Sequence, residues 1–109
     1  MITAQEAREK TLHSLQTEKE RARQWALGEL EYIENQIVKE ANKGKYEAEY
    51  WWSKDILLHA NGITQRAAKI ALTEILSHIG YQTAYCFNYG ENHNAFKVYI
   101  NWEEEIINE

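Results

Sequence analysis

The feature that most constrains this chain is a helical stripe that is long for the size of the protein. From residue 22 onward, small and aliphatic residues recur every three or four positions, at Ala22, Ala26, Leu30, Ile33, Ile37 and Ala41. Asn42-Lys43-Gly44 then ends the pattern. Residues 18–42 therefore predict a helix of roughly 37 Å. A domain of 109 residues has a radius of gyration of about 13 Å. Because the helix is as long as the domain is wide, its far end has little of its own chain to pack against. We therefore expect that end to pack against another chain.

The residues before this stripe predict either a continuation of the helix or a separate arm. Thr3 and Glu6 have the spacing of a capping box, and Thr17 and Glu20 repeat that spacing. The helix can break near residue 16 or run straight through, because the chain contains no proline to interrupt it. In both cases we expect residues 1–45 to form an N-terminal helical segment through which the protein makes a homo-oligomer.

Residues 46–109 show the pattern of a small sheet packed with a second helix. Side chains of two kinds alternate in three stretches, which predict strands at 46–52, 81–88 and 96–102. A short helical turn is predicted at 56–58, and a helix runs from a Thr64 cap to Gly80. The loop at 89–94 has hairpin length, so the last two strands should pair antiparallel. The predicted fold class is α+β, with a long N-terminal helix, then a strand, a helix and a hairpin in a three-stranded sheet. Residues 46–109 form its compact module, and the chain is one domain overall.

The distribution of charge excludes some classes of partner. Residues 1–45 hold eight basic and eight acidic side chains, whereas residues 46–109 hold four basic and nine acidic ones, which gives the net charge of −5. A surplus of negative charge repels phosphate backbones, so we expect no binding to duplex nucleic acid. The glutamates at 103–105 and 109 should make an acidic, solvated tail. No apolar run approaches the length of a membrane span, and the N-terminus lacks the pattern of a signal peptide. We therefore expect a cytoplasmic protein without membrane contact.

No pattern in the sequence predicts catalysis. The four histidines have no metal-ligand spacing, and the single cysteine, Cys86, has neither a CxxC partner nor a basic neighbourhood. Cys86 is thus expected to be a packed and inert residue. The five glycines are isolated from one another, which excludes a glycine-rich phosphate loop. We therefore predict a protein that is not an enzyme, with no catalytic residues, no metal site and no cofactor.

The aromatic residues are the most informative set for function. Of the thirteen, eleven follow residue 45, which is more than a three-stranded sheet and one helix need for a core. Trp51 breaks the strand alternation, so one of the adjacent tryptophans should face outward or into a partner. Together with Tyr89 and Tyr99, it suits either a protein interface or a platform on which a nucleobase stacks. Arg66 opens a predicted helix, where it is either an exposed residue or a contact for an anion. The candidate ligand-binding residues are therefore Trp51, Arg66, Tyr89 and Tyr99.

Several short motifs resemble those of a loose group of small phage and prophage proteins. They are the opening Met1-Ile2-Thr3-Ala4-Gln5-Glu6-Ala7-Arg8, the helix end Ala41-Asn42-Lys43-Gly44-Lys45-Tyr46, the step Ile79-Gly80-Tyr81 and the closing Val98-Tyr99-Ile100-Asn101-Trp102. Members share an N-terminal helix, a Gly-Tyr step into a strand and a final strand that ends in Trp. The group is mostly uncharacterised, so the resemblance implies an origin, and with it the host cytoplasm as the location.

Three roles compete if that origin holds. By analogy with phage-encoded sponges, the protein would be a counter-defence protein that sequesters a small nucleotide-like signal. Alternatively, it would bind and block a host protein. A third possibility is a structural role in the virion or its assembly.

Overall fold

The computed structural model describes residues 1–104 and confirms the predicted α+β architecture. The elements follow in the order α1 (Ala4–Ala41), β1 (Glu47–Ser53), a π-helical turn (Ile56–Ala60), α2 (Gln65–His78), β2 (Gln82–Tyr89) and β3 (Ala95–Asn101). The predicted helical turn after the first strand is thus a π-helix. Most of the predicted acidic tail, at residues 105–109, lies outside the described residues.

Helix α1 is one continuous helix of 38 residues. The Thr3 hydroxyl accepts a hydrogen bond from the Glu6 amide at 3.1 Å, as the capping-box spacing predicts. The second such spacing caps no new helix: the Thr17 hydroxyl donates to the carbonyl of His13 at 2.9 Å, within the continuous α1. The described chain measures 61 Å along its longest axis, and its radius of gyration is 16.9 Å rather than the ~13 Å typical of this length. Helix α1 accounts for this elongation.

The three strands form one antiparallel sheet in the order β1-β3-β2. The predicted hairpin of the last two strands is therefore confirmed, and β3 is the central strand. Inward-facing residues alternate with outward-facing ones along each strand. The inner positions of β3, Phe96, Val98 and Ile100, are almost completely buried. A register shift between Cys86 and Tyr89 marks a bulge in β2.

Both helices pack against the same face of the sheet, which we call the inner face. From residue 22 onward, the stripe of α1 enters the core, where Ala22, Ala26 and Ile33 are at most 1% exposed. Trp25 of α1 meets Trp52 of β1 edge to face, with ring centroids 4.9 Å apart. Trp52 is buried while Trp51 is exposed, so the expectation that one of the two tryptophans faces outward is confirmed. The opposite face of the sheet, the outer face, carries neither helix.

Helix α2 has defined ends that fix its position beside α1. The Thr64 hydroxyl caps its N-terminus by accepting from the Ala67 amide at 3.2 Å. At its C-terminus, Gly80 has φ +99°, and the Tyr81 amide donates to the carbonyl of Leu76 at 3.0 Å. This is a Schellman ending, which requires the left-handed conformation that glycine adopts without steric cost. The Thr73 hydroxyl and the Tyr85 phenol lie 2.8 Å apart and join α2 to β2.

A single carboxylate joins α1 to the start of α2. Glu18 Oε1 accepts hydrogen bonds from the Thr64 amide at 3.0 Å and from the Thr64 hydroxyl at 2.8 Å. The Thr64 hydroxyl bond, supported by the amide bond, holds the pKa of Glu18 below its ordinary value. The contact spans 46 residues of sequence and fixes the middle of α1 against α2.

None of the helices within residues 1–104 combines the length and the apolar character that a membrane span requires.

We predict that Glu18→Gln destabilises the protein at neutral pH by about 1 kcal/mol, because a neutral amide is a weaker acceptor than a carboxylate. A carboxyl whose folded-state pKa is lowered stabilises the fold above its unfolded pKa of about 4.3 and loses this contribution as the pH falls further. The difference in unfolding free energy between wild type and variant should therefore shrink between pH 7 and pH 3 in urea titrations.

The matched control for this prediction is Glu20→Gln, which removes an exposed carboxylate from the same turn of α1. It should change the stability by less than about 0.5 kcal/mol at both pH values. A difference between wild type and Glu18→Gln that stays constant down to pH 3 would show that the charge of Glu18 does not hold α2.

Candidate functional site

The outer face of the sheet is a continuous surface formed by every second residue of the three strands. Pairing across the strands puts Trp51 opposite Lys97 and Lys97 opposite Cys86. In the next row, Glu49 lies opposite Tyr99. Tyr89 follows the bulge of β2, where it pairs with Ala95 and its ring reaches Lys97. The outer face therefore gathers aromatic side chains from three separate strands.

Lys97 is the organising residue of this face. Its side chain is held between two tyrosine rings, with Nζ 4.4 Å from the ring centre of Tyr89 and 4.8 Å from that of Tyr99. Nζ also lies 2.7 Å from Glu49 Oε2 and 3.4 Å from the Tyr89 hydroxyl. Lys97 as a whole is only 7% exposed. The hydrogen bond to Glu49 is the main reason that the pKa of Lys97 is held above its ordinary value, so the ammonium stays charged.

The aromatic residues around Lys97 remain accessible. Trp51 is 60% exposed, whereas Tyr89 and Tyr99 are each exposed by more than a third. The carboxylate of Glu49 reaches solvent with more than half of its side chain. Around Lys97, the outer face thus presents a buried cation, an exposed carboxylate and three partly exposed rings. Aromatic side chains of this kind dominate the energetics of protein interfaces.

The structure brings together three of the four predicted ligand-binding residues. Trp51, Tyr89 and Tyr99 lie on the outer face around Lys97. Arg66 is exposed on α2, where it lines a cleft between α1 and α2. None of the three aromatic residues lines that cleft. Arg66 therefore belongs to a different surface of the molecule.

Sequence reasoning missed the roles of Lys97 and Glu49. Both occupy polar positions of alternating strands, where a solvated charge is the usual outcome. Their ion pair depends on the pairing of β1 with β3, which places Glu49 diagonally across from Lys97. The available signal was the position of Tyr99, two residues after Lys97 on the same face of a strand. This spacing predicts that Tyr99 lies next to Lys97, but it does not predict that Lys97 is buried.

The outer face offers no arrangement suited to covalent chemistry. It is a sheet surface, and two clefts of the described chain are lined by other residues, mainly of the helices. Cys86 is partly buried on this face, and its thiol donates a hydrogen bond to the carbonyl of Phe87 at 3.7 Å. Residues 1–104 hold no cluster of three side chains able to ligate a metal ion. What the face can supply is apolar contact, stacking and the carboxylates of Glu47 and Glu49.

Comparisons with protein-family models, with curated proteins and with solved structures gave no match for this chain. The function is therefore inferred from the contacts of its own residues.

We predict that the two partners of the ion pair differ in what their removal costs. Glu49→Ala leaves a buried ammonium without its carboxylate and should cost about 2 kcal/mol of stability. Lys97→Met keeps the apolar stem and leaves an exposed carboxylate that water solvates, so it should cost less than about 1 kcal/mol. Urea unfolding at pH 7 measures both values.

Glu47→Ala is the control for this comparison, because Glu47 is exposed on the same face of the same strand. It carries the same change in strand propensity without touching Lys97. If Glu49→Ala costs no more than Glu47→Ala, the ion pair does not organise the outer face.

Proposed function

We propose that the protein is a non-enzymatic binding protein that blocks a protein partner by covering it with the outer face of its sheet. The observation that carries this proposal is the gathering of Trp51, Tyr89 and Tyr99 around the Lys97–Glu49 ion pair. These rings come from three strands, and none of them is needed to fill the core on the inner face. An exposed and ordered aromatic surface of this kind favours binding.

The size of the outer face indicates how a partner binds it. Seven residues of strand span about 23 Å and three strands span about 14 Å, which gives a flat area of roughly 300 Å². A stable interface of standard size buries about 800 Å² on each partner. We therefore infer that the outer face is the central contact of a small interface, with Trp51 as its anchor.

The charges of the outer face favour a protein over a nucleotide. The positive charge of Lys97 is already neutralised by Glu49 at 2.7 Å, and Glu47 adds a further negative charge to the same face. Arg66, the cation expected to hold a phosphate, lines a different surface. Among the strand residues of the outer face that the structure describes, Lys97 is the one cation, so a nucleotide stacked on Trp51 would find that charge already paired with Glu49. A partner with neutral or basic side chains fits better, because guanidinium groups stack on tryptophan and tyrosine rings.

The wider setting stays a prediction from the sequence. The phage resemblance, the counter-defence role and self-association through α1 are compatible with a binding protein. So is the alternative role in a virion or its assembly. The proposed binding surface is the same in each of these settings, so it can be tested without deciding among them.

The experiment is a selection of random peptides displayed on phage against the immobilised protein. Counter-selection uses the double variant Trp51→Ala/Tyr99→Ala, which removes two rings from the outer face and leaves the core intact. We expect peptides with Kd values of about 10–100 µM for the wild type and binding at least tenfold weaker to the variant. They should carry arginine or aromatic residues, and they should slow the alkylation of Cys86, which lies on the same face.

A parallel thermal-shift measurement uses ATP, ADP-ribose and cyclic dinucleotides as probes. If a nucleotide raises the melting temperature of the wild type but not of the Trp51→Ala variant, the ligand of the outer face is a nucleotide and not a protein. Peptides that bind the wild type and the double variant equally, or that leave Cys86 unprotected, would overturn the proposal. Urea unfolding of the double variant confirms that it folds.

A further inference from the structure

A cleft between the two helices forms a second surface, on the other side of the sheet from the outer face. It has a volume of about 700 Å³ and lies between the N-terminal half of α1 and the first turns of α2. Ala67 and Ala71 lie in its α2 wall, with Ile70 beside them and Leu15 on α1. The small alanine side chains allow another element to approach closely. No residue of the outer face lines the cleft.

The α1 wall of the cleft continues the stripe that forms the core. Leu15 precedes Ala22 by seven residues, or about two turns, so both lie on the same side of the helix. Ala22 is buried by the rest of the chain, whereas Leu15 is 58% exposed and Leu12, one turn earlier, is 66% exposed. On the facing helix, Ile70 is exposed by nearly half. An apolar helix face thus extends beyond the part of the chain that covers it.

The rim of this cleft is basic although the protein is acidic. Lys19, Arg23 and Arg66 surround the apolar residues, and none of the three forms an ion pair within the described residues. Two carboxylates, Glu18 and Glu74, also line the cleft, and the amide and hydroxyl of Thr64 hold the charged Glu18 against the start of α2. Three cations thus face two carboxylates. The cleft is therefore a local positive site in a chain of net charge −5.

We propose that this cleft binds an acidic amphipathic helix of a partner protein. Two helix walls with exposed aliphatic residues form the groove into which a third helix lays its apolar face, with anchors at i, i+3 or i+4 and i+7. The acidic flanks of that helix then lie against Lys19, Arg23 and Arg66. The protein would thereby hold two partners, or two parts of one partner, on surfaces of opposite chemistry.

The charges on α1 disfavour a second copy of this chain as the helix that occupies the cleft. Arg8 precedes Ala26 by 18 residues, or about five turns, so it lies on the same side of α1 as the exposed leucines. Lys19 lies on this side as well. An antiparallel α1 from another copy would therefore place basic residues against the basic rim, which costs binding energy. An acidic helix meets no such repulsion.

The test uses three synthetic helical peptides of about 18 residues, or five turns. All carry leucine at i, i+3, i+7 and i+10; the first has glutamate on its flanks, the second lysine, and the third is a scramble of the first. Fluorescence anisotropy with the full-length protein should show the acidic peptide binding at least roughly tenfold tighter than either of the others. Raising the salt concentration should weaken that binding, because charges near the surface are screened.

The decisive variant is Arg23→Glu/Arg66→Glu, which reverses the charge of the rim. It should fold, because both side chains are exposed and a glutamate near the start of α2 suits the helix dipole. We expect it to lose the acidic peptide and to prefer the basic one. Leu15→Ser should weaken the binding of the acidic peptide, whereas Trp51→Ala should leave it unchanged. Because the two variants lie on different surfaces, the cleft proposal can fail while the proposal for the outer face holds, and the reverse.

Two results would overturn the proposal. One is equal binding of the acidic and basic peptides, or a preference that the charge reversal leaves unchanged. The other is a dimer in sedimentation equilibrium that Leu15→Ser dissociates and that excludes the acidic peptide, because the occupant would then be a second copy of the chain. Urea unfolding of each variant confirms that lost binding is not lost folding.

Discussion

The edge-to-face contact between Trp25 and Trp52 is the interaction on which the rest of the structure depends. It joins the long helix α1 to the sheet, and both rings are buried with a centroid distance of 4.9 Å. Their indole N–H groups have no hydrogen-bond partner among the described residues, so the contact is held by packing alone. Because α1 and α2 share the inner face, no further helix within residues 1–104 covers the other side of the sheet.

Both candidate surfaces follow from that arrangement. The outer face carries three aromatic residues that are exposed to water. The Lys97–Glu49 ion pair holds this surface together, because the ammonium packs against two of the rings and the carboxylate stays hydrated. In the N-terminal half of α1, by contrast, apolar side chains are left uncovered. Helix α1 extends past the part of the chain that covers it, so Leu12 is exposed and Leu15 is exposed in the cleft beside α2.

Much of the fold could be predicted from the sequence because its signals are local. Alternation specifies strands, Thr3 and Thr64 cap helices, and Gly80 ends α2. The sequence left open whether α1 breaks near residue 16. In the structure the Thr17 hydroxyl bonds within a continuous helix, and Glu18 fixes that turn to Thr64, a contact between residues far apart in the chain.

Part of the candidate site could also be predicted from the sequence, and part could not. Trp51 could be recognised because it breaks the alternation of its strand, and Tyr89 and Tyr99 because the core does not need them. Burial of Lys97 could not be recognised, because it results from the order of the strands, which puts β3 at the centre. Arg66 was grouped with the aromatic residues on chemical grounds alone. Its position on α2 places it in the cleft instead.

The most direct test of this account is the reactivity of Lys97 in the folded protein. An acylating ester at pH 8, followed by peptide mass spectrometry, gives the labelling rate of each lysine. If Lys97 is enclosed by Tyr89, Tyr99 and Glu49, it should react at least roughly tenfold more slowly than Lys10, which is exposed on α1. Equal rates for Lys97 and Lys10 would mean that Lys97 is not enclosed, and the outer face would lose the residue that organises it.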